Sequence, residues 1–384
     1  MNLFEFHLPT KIYSGNGTFL KTGEYIKEFI QGKRLFIVTD PGLIKWGVVE
    51  KLESILQGFE TQCFTEVKPN PRDTDCIRGG ELAHEFKADG IVALGGGSVI
   101  DAAKAIAILQ VLGGRPQDYA GRDQVPSAVT PIIAIPTTAG TGAEVTRSSV
   151  ITDTEKKIKL TIKDVKIAPA VAIVDPELTY ELPAPLTAST GMDALVHAVE
   201  AFTCKRSNPI AEGLAIEAMK RIYPFLRRAV KDGTDTDARY QLMIGATIAG
   251  MAFSHADVAA VHCMAEAIGG LYDTPHGVAN SMFLPYIIAF NAEADLKKHA
   301  IIGRTLGLAT ESTPDEVATA ALVTEMKQLA QDLAIPTFAS LPQVNRADFD
   351  DLAESAFQNG STPSNAREIT KEDYLLLFEK AYGA

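Results

Sequence analysis

The chain has 384 residues, room for two or three domains at roughly 150 residues each. Its 46% hydrophobic and 22% charged residues exclude a disordered chain and fit an ordinary globular core. With 48 acidic and 36 basic residues the formal net charge is −12, which argues against nucleic acid or an anionic membrane as the main partner, since both select for clustered basic charge. Cys63, Cys76, Cys204 and Cys263 are scattered without a C-x-x-C pair, the pattern expected of reduced thiols in a cytoplasmic chain. The opening MNLFEFHLPTK lacks the basic start and apolar core of a signal peptide. Asp101, Lys104 and several glycines interrupt the apolar stretch 91–112, so no membrane span is expected there.

From residue 33 short apolar runs alternate with amphipathic stretches. Residues 34–39 (RLFIVT) read as a buried strand, followed by a helical pattern through Trp46, Val49, Leu52 and Leu56. Residues 61–67 read as a strand, 75–87 as a helix, 90–94 as a strand, 99–109 as a helix and 131–135 as a strand. Such alternation predicts a parallel sheet with helices on both faces. Residues 147–152 and 157–162 look like an added hairpin, and 170–174 like a last strand. After Pro183 the strand signals fade. Asn208-Pro209 has the form of a helix start, a cap followed by proline at the first helical position, and Ile210, Leu214, Met219, Ile222 and Leu226 continue at helical spacing. Thr313-Pro314-Asp315-Glu316 predicts a capping box for a further helix striped by Leu322, Met326, Leu329 and Leu333. The expected organisation is an α/β domain over 1–183 and an all-helical domain over 184–384.

Gly95-Gly96-Gly97-Ser98 lies between a predicted strand and a predicted helix. Glycines let a backbone approach a pyrophosphate, and the helix start offers free N–H groups and a positive dipole end, which Asp101 in the first turn also suits. The run is not a G-x-G-x-x-G fingerprint, and no acidic residue closes a second strand some twenty residues on. Asp40, ending an earlier strand, either meets an adenosine ribose and repels a 2′-phosphate or simply shapes an Asp-Pro-Gly turn. A second loop, Pro136-Thr137-Thr138-Ala139-Gly140-Thr141, brings three hydroxyls to a strand end, where phosphates or a nicotinamide amide would find them.

Four of the seven histidines fall between 197 and 276. Asp193 and His197 are four apart on an apolar helix, hence on one face, where both need partners. A shared metal or a plain Asp–His hydrogen bond would satisfy them. His262 lies on another apolar helix and His276 follows a turn; a carboxylate with imidazoles suits Fe(II) or Zn(II). Cys263 is read as core, and His255 as a surface or helix-capping residue.

Taken together, GGGSVIDAAK, PTTAGTGAEVT, VITD, AIVDPELT, GMDALVHAVEAF and PHGVANSMFLPY make the sequence resemble the iron-containing (group III) alcohol dehydrogenase family, in order and over nearly the whole chain. The resemblance implies a dinucleotide-binding α/β domain, a helical domain and an active site in the cleft between them. It casts Asp193, His197, His262 and His276 as metal ligands. It casts Gly96, Gly97, Ser98 and Asp101 as the pyrophosphate loop, and Thr137, Thr138 and Thr141 as the second cofactor loop. Asp40 takes the position that favours NAD over NADP; Asn70, Val150 and Lys159 match further cofactor contacts, and Phe253 a wall of the substrate pocket. One departure stands out. Where the family commonly has a histidine four residues after the third ligand, this chain has Glu266, a candidate proton acceptor, substrate anchor or intermittent metal ligand. His255-Ala256-Asp257-Val258-Ala259 likewise replaces a glycine-rich stretch.

The expected reaction is NAD(H)-dependent interconversion of a small, or functionalised, primary alcohol and its aldehyde, with one divalent metal as Lewis acid and the nicotinamide as hydride partner. The expected partners are that alcohol or aldehyde and further copies of the chain, as a homodimer or larger homo-oligomer; no nucleic acid and no membrane are expected. Two rivals share the sequence features. One is a lyase similar to dehydroquinate synthase, using NAD and a metal transiently; its phosphate-bearing substrate would call for a basic cluster, for which only Lys205-Arg206 and Arg227-Arg228 offer themselves. The other is a non-catalytic protein that binds nucleotide and metal.

Overall fold

The computed structural model describes residues 3–383. The chain forms two compact units, Leu8–Tyr180 and Glu181–Ala384, the second taking in Met1–His7 as well.

The strands of the first unit are β1 (Lys11–Ser14), β2 (Arg34–Val38), β3 (Glu60–Phe64), β4 (Gly90–Gly95), β5 (Gly121–Arg122), β6 (Ile132–Pro136), β7 (Ser148–Asp153), β8 (Ile158–Lys163) and β9 (Val171–Val174). Its helices are α1 (Thr22–Tyr25), α2 (Pro41–Lys45), α3 (Val48–Ile55), α4 (Asp73–Phe86) and α5 (Gly97–Leu112). Among the described residues, six strands form one parallel sheet in the order β1-β9-β6-β4-β2-β3. A parallel sheet carries its crossovers on its faces, so its strands are apolar on both sides. Phe36, Ile91 and Ala93 accordingly share a core with Cys76 of α4 and Ala102 and Ile106 of α5. Leu35, Ile37, Val92 and Leu94 share another with Val49 and Leu52 of α3. From β2 the chain adds β3 on one side, then returns past β2 to add β4, β6 and β9 on the other. Strand order therefore switches between β2 and β4, and open α/β sheets bind ligands at the carboxyl ends flanking such a switch. Those ends carry Asp40 and the glycine run.

The predicted hairpin is present as antiparallel β7–β8, which with β5 forms a separate small sheet. Strand β1 has no clear sequence signal: Lys-Ile-Tyr-Ser is too short for a period to show, and only pairing with β9 makes it a strand.

The second unit holds α6 (Ala184–Thr203), α7 (Pro209–Lys231), α8 (Thr236–His255), α9 (Ala260–Tyr272), α10 (His276–Ala292), α11 (Leu296–Thr305), α12 (Asp315–Asp332), α13 (Phe349–Phe357) and α14 (Lys371–Tyr382). Asn208 caps α7 by accepting from the Ala211 amide, with Pro209 opening the helix. The capping box predicted at Thr313 does not form. The Thr313 hydroxyl accepts from the Thr310 amide, and Arg304 bonds the Thr313 carbonyl and Asp315 instead. Among the described residues, no single helix is long and apolar enough to cross a membrane.

Residues expected in the α/β domain at the extreme N-terminus thus group with the helices, and the break falls at 180/181 rather than after 183. His255 supplies the cause. Its ring stacks on Phe6 with centroids 3.9 Å apart, and its Nε2 bonds the His7 carbonyl. Its Nδ1 bonds the Met251 carbonyl, so the helix-capping reading of His255 holds while the surface reading does not, the residue being buried.

Helix α10 meets α6 at Gly277, where an added Cβ would stand 2.2 Å from the Ser189 carbonyl oxygen and 3.2 Å from the Asp193 Cβ. Gly277→Ala should force the two helices apart and lower the unfolding free energy by about 1–3 kcal/mol, measured by urea titration.

Candidate active site: a cofactor edge and a metal centre

In the α/β unit, Gly96 and Gly97 open α5 at the carboxyl end of β4. The threonine loop follows β6 on the neighbouring strand, and the Thr137 amide donates to the Gly95 carbonyl at 3.1 Å. The two loops nearly touch. A Cβ on Gly97 would lie 2.6 Å from Thr141 Oγ1, so the glycine makes room for the hydroxyl, and Thr138 lines Gly96 in the same way. Ser98 sits in the first turn of α5. Asp40 accepts from the Gly42 and Leu43 amides at 2.8 and 3.3 Å and so caps α2, the turn role foreseen for it. Lys159 Nζ donates to Asn70 Oδ1 and Thr152 Oγ1, each at 2.9 Å, which joins two residues 89 positions apart. Asn70 itself has a left-handed backbone, φ 54°.

Because α5 already begins at Gly97, Asp101 lies beyond the first turn where it was expected, and it has a different job from partnering the helix dipole. Its carboxylate accepts from the Val150 amide at 3.0 Å, and its carbonyl from the Ser149 hydroxyl, tying α5 to β7. Beside it lies Lys104, a fully buried lysine that the sequence reading passed over although it closes the G-G-G-S-x-x-D-x-x-K run. Its ammonium donates to the Ala143 carbonyl, Thr146 Oγ1 and the Ser148 carbonyl at 2.7–2.9 Å and stands 3.8 Å from Asp101. Burial pushes the Asp101 carboxyl up to about 6 against the pull of Lys104, and brings the Lys104 ammonium down to about 8 against the pull of Asp101.

In the helical unit, Asp193, His197, His262 and His276 come together. One ligand atom from each lies within 4.8 Å of all the others. Asp193 and His197 project from one face of α6, His262 from the first turn of α9, and His276 opens α10. His276 Nε2 is 3.6 Å from Asp193 Oδ1, and the His197 and His262 rings stack at 4.6 Å. Three of the four are buried, while the His276 side chain is 35% exposed and marks the open side. Burial raises the Asp193 carboxyl, but the three histidines and Asn280 outweigh it and hold the group below the usual carboxylate range. Burial lowers His262, yet Glu200, Asp193 and Glu266 leave it above the ordinary imidazole value.

The arrangement asks for a cation. The Asn280 amide nitrogen, with two hydrogens, lies 2.7 Å from Asp193 Oδ1, 3.1 Å from His262 Nε2 and 3.2 Å from His276 Nε2. A carboxylate oxygen and two ring nitrogens thus crowd one amide nitrogen, while the buried Asn280 Oδ1 has no partner. Three imidazoles and one carboxylate, without a thiolate, fit Fe(II) or Zn(II). Cys263 turns away into the core beside Thr362, as expected.

Phe253 of α8 stacks on His197 with centroids 4.3 Å apart, which places it at the cluster. Glu266, one turn after His262, is half-buried and accepts from Asn359 Nδ2 at 2.6 Å. Glu200 was not foreseen. It lies seven residues after Asp193 and three after His197, on the same stripe of α6, and that spacing was the available signal. Its carboxylate meets His262 Nδ1 at 2.5 Å.

A parallel sheet with a ligand-binding switch point in one unit and a buried Asp/His cluster fit for a divalent metal in the other are the parts that a metal-dependent dinucleotide oxidoreductase needs. Comparison with known proteins makes this specific. Residues 9–176 match the family described as iron-containing alcohol dehydrogenase, and residues 187–382 match the C-terminal part of the Fe-containing alcohol dehydrogenase family. The chain is 36% identical over 378 residues to the NAD-dependent methanol dehydrogenase of Bacillus methanolicus, covering 98% of this chain and 99% of that protein. It superposes on the crystal structure of a 1,3-propanediol oxidoreductase with a TM-score of 0.95 and 37% identity, covering 99% of this chain and all of the other. With the sulfoacetaldehyde reductase of Bifidobacterium kashiwanohense, solved with NAD+, the TM-score is 0.89 and the identity 28%, covering 100% of this chain and 99% of that one. The chain belongs to the iron-containing alcohol dehydrogenase family and is an alcohol dehydrogenase.

Lys104→Met should strand the buried Asp101 and release three bonds to 143–148. About 3–5 kcal/mol of stability should be lost, NADH binding should weaken in fluorescence titration, and Lys104→Met/Asp101→Asn should recover part of the stability.

Proposed function

We propose that this enzyme interconverts a small, optionally functionalised, primary alcohol and its aldehyde with NAD(H), and that Asp193, His197, His262 and His276 hold its metal, Fe(II) in preference to Zn(II). The convergence of these four side chains carries the reading. A divalent cation there would supply Lewis acidity that lowers the pKa of the alcohol, and NAD+ is the hydride acceptor. The chain itself does the positioning. The glycine run and the α5 start approach the pyrophosphate with backbone N–H groups. Thr137, Thr138 and Thr141 offer hydroxyls beside it, while Asn70, Lys159 and Val150 extend the same cofactor surface, with Asp101 fixing Val150 through its amide. Phe253, flat against His197, forms an apolar wall for the substrate carbon. Glu266 acts as proton acceptor or substrate anchor, oriented by Asn359.

Three of the four basic residues that the rival lyase reading would draw on are engaged by carboxylates. Arg227 is engaged by Glu325 and Asp332, Arg228 by Asp235 and Asp237, and Arg206 lies 3.6 Å from Asp257. A cytoplasmic homodimer or larger homo-oligomer completes the proposal. The four free thiols suit a reducing compartment, and burial pushes Cys63 and Cys204 up to about 12, which keeps them unreactive.

The test is NADH formation or consumption across a panel of alcohols and aldehydes, including carboxylated, sulfonated and phosphonated ones, with Fe(II) or Zn(II). His197→Ala should lose metal by elemental analysis and nearly all turnover while still binding NADH. Wild-type turnover by a metal-free variant would overturn the mechanism. Cofactor choice rests on Asp40. Asp40→Gly should remove a carboxylate–phosphate repulsion of roughly 1–3 kcal/mol and raise the NADP/NAD ratio of kcat/KM about 5- to 150-fold. An unchanged ratio would leave Asp40 as a helix cap alone.

A further inference from the structure

Glu200 is 2% exposed and sits on α6, yet its side-chain hydrogen bonds run to the start of α9. Oε1 accepts from the Val261 amide at 2.7 Å, and Oε2 from the Ala259 amide at 2.9 Å. Both are backbone donors at a helix start that has no side-chain cap of its own. Oε2 also meets His262 Nδ1 at 2.5 Å. With both carboxylate oxygens already acting as acceptors, the ring nitrogen supplies the proton of this third bond. The opposite side of the ring agrees. Nε2 faces Asn280 Nδ2 at 3.1 Å, and that amide must present its nitrogen because it also donates to Asp193 Oδ1 at 2.7 Å. Turning the amide over would set its oxygen against a carboxylate oxygen.

We propose that Glu200 is a positioning residue that holds His262 as the Nδ1–H tautomer and pins the start of α9 to α6, so that Nε2 presents its lone pair to the Asp193–His197–His276 cluster. The proposal rests on the metal reading above and extends it by one residue. Ring orientation and tautomer are set together, since the oxygen that takes the Nδ1 proton also holds the backbone one turn away. A carboxylate hydrogen-bonded to an imidazole also makes the opposite nitrogen a stronger donor to a metal, and loss of such partners typically costs 10–100-fold in affinity.

Glu200→Gln keeps the shape but turns one acceptor into an amide donor facing donors. In the full-length protein, chelator-competed Co(II) and Zn(II) titrations should show binding weakened about 10–100-fold, with altered Co(II) ligand-field bands at saturating metal. Glu200→Asp, which keeps both acceptors, should recover part of the affinity. Leu322→Ala, a core truncation on α12, should lower stability without changing metal affinity or the Co(II) spectrum. Imidazole nitrogen NMR of the metal-free wild type at alkaline pH reads the tautomer directly and needs no variant to fold. His262 protonated at Nε2 would overturn the proposal, as would Glu200→Gln binding metal like the wild type, or Leu322→Ala losing as much affinity as Glu200→Gln. A wild type that binds neither metal would instead sink the metal reading, while the tautomer measurement still decides the role of Glu200.

Discussion

Asp193, His197 and Glu200 project from one stripe of α6, a helix free of other charged residues and buried along most of its length. A buried polar group without a partner costs about 1–3 kcal/mol, so the stripe dictates what packs against it. The first turn of α9 brings His262 and two backbone amides to Glu200, and the start of α10 brings His276 and Asn280 to Asp193. Gly277 lets α10 come close enough for this. The same contacts that complete the helical core thus assemble the donor set, which makes the candidate metal centre a structural element as well as a chemical one.

A different constraint governs the α/β unit. Two loops at neighbouring strand ends come together with almost no side chain between them, Gly96 and Gly97 against Thr138 and Thr141. Loops of this kind have little apolar surface to hold them. The buried Lys104 does so with three hydrogen bonds, and Asp101 extends the brace to β7 and to Val150. A buried lysine of this sort is costly to desolvate, and its return is a fixed loop.

The departures from the family pattern gather in the helical unit. Glu266 stands one turn beyond His262 and is held by Asn359, a residue 93 positions later in the chain. His255 has both ring nitrogens on carbonyl oxygens and a face on Phe6, and so anchors the N-terminal segment. Neither residue is one of the four clustered side chains, although Glu266 bears on His262 through its charge.

Much of this was legible in the order of residues. Period and turn chemistry mark the central strands, the β7–β8 hairpin and the α7 start, because each of these depends on neighbours within a few positions. The i, i+4 pair of Asp193 and His197 likewise shows its shared face without any fold. What only tertiary structure decided involves partners far apart in the chain. Strand β1 exists through β9, the Thr313 capping box yields to Arg304, and Asp101 turns from the helix dipole to β7. Lys104 and Glu200 read in sequence as ordinary charged residues on helices; their roles come from carbonyls and amides about 40 and 60 positions away. Helical spacing reports which side chains share a face, but a buried charge takes its meaning from whatever the fold sets opposite it.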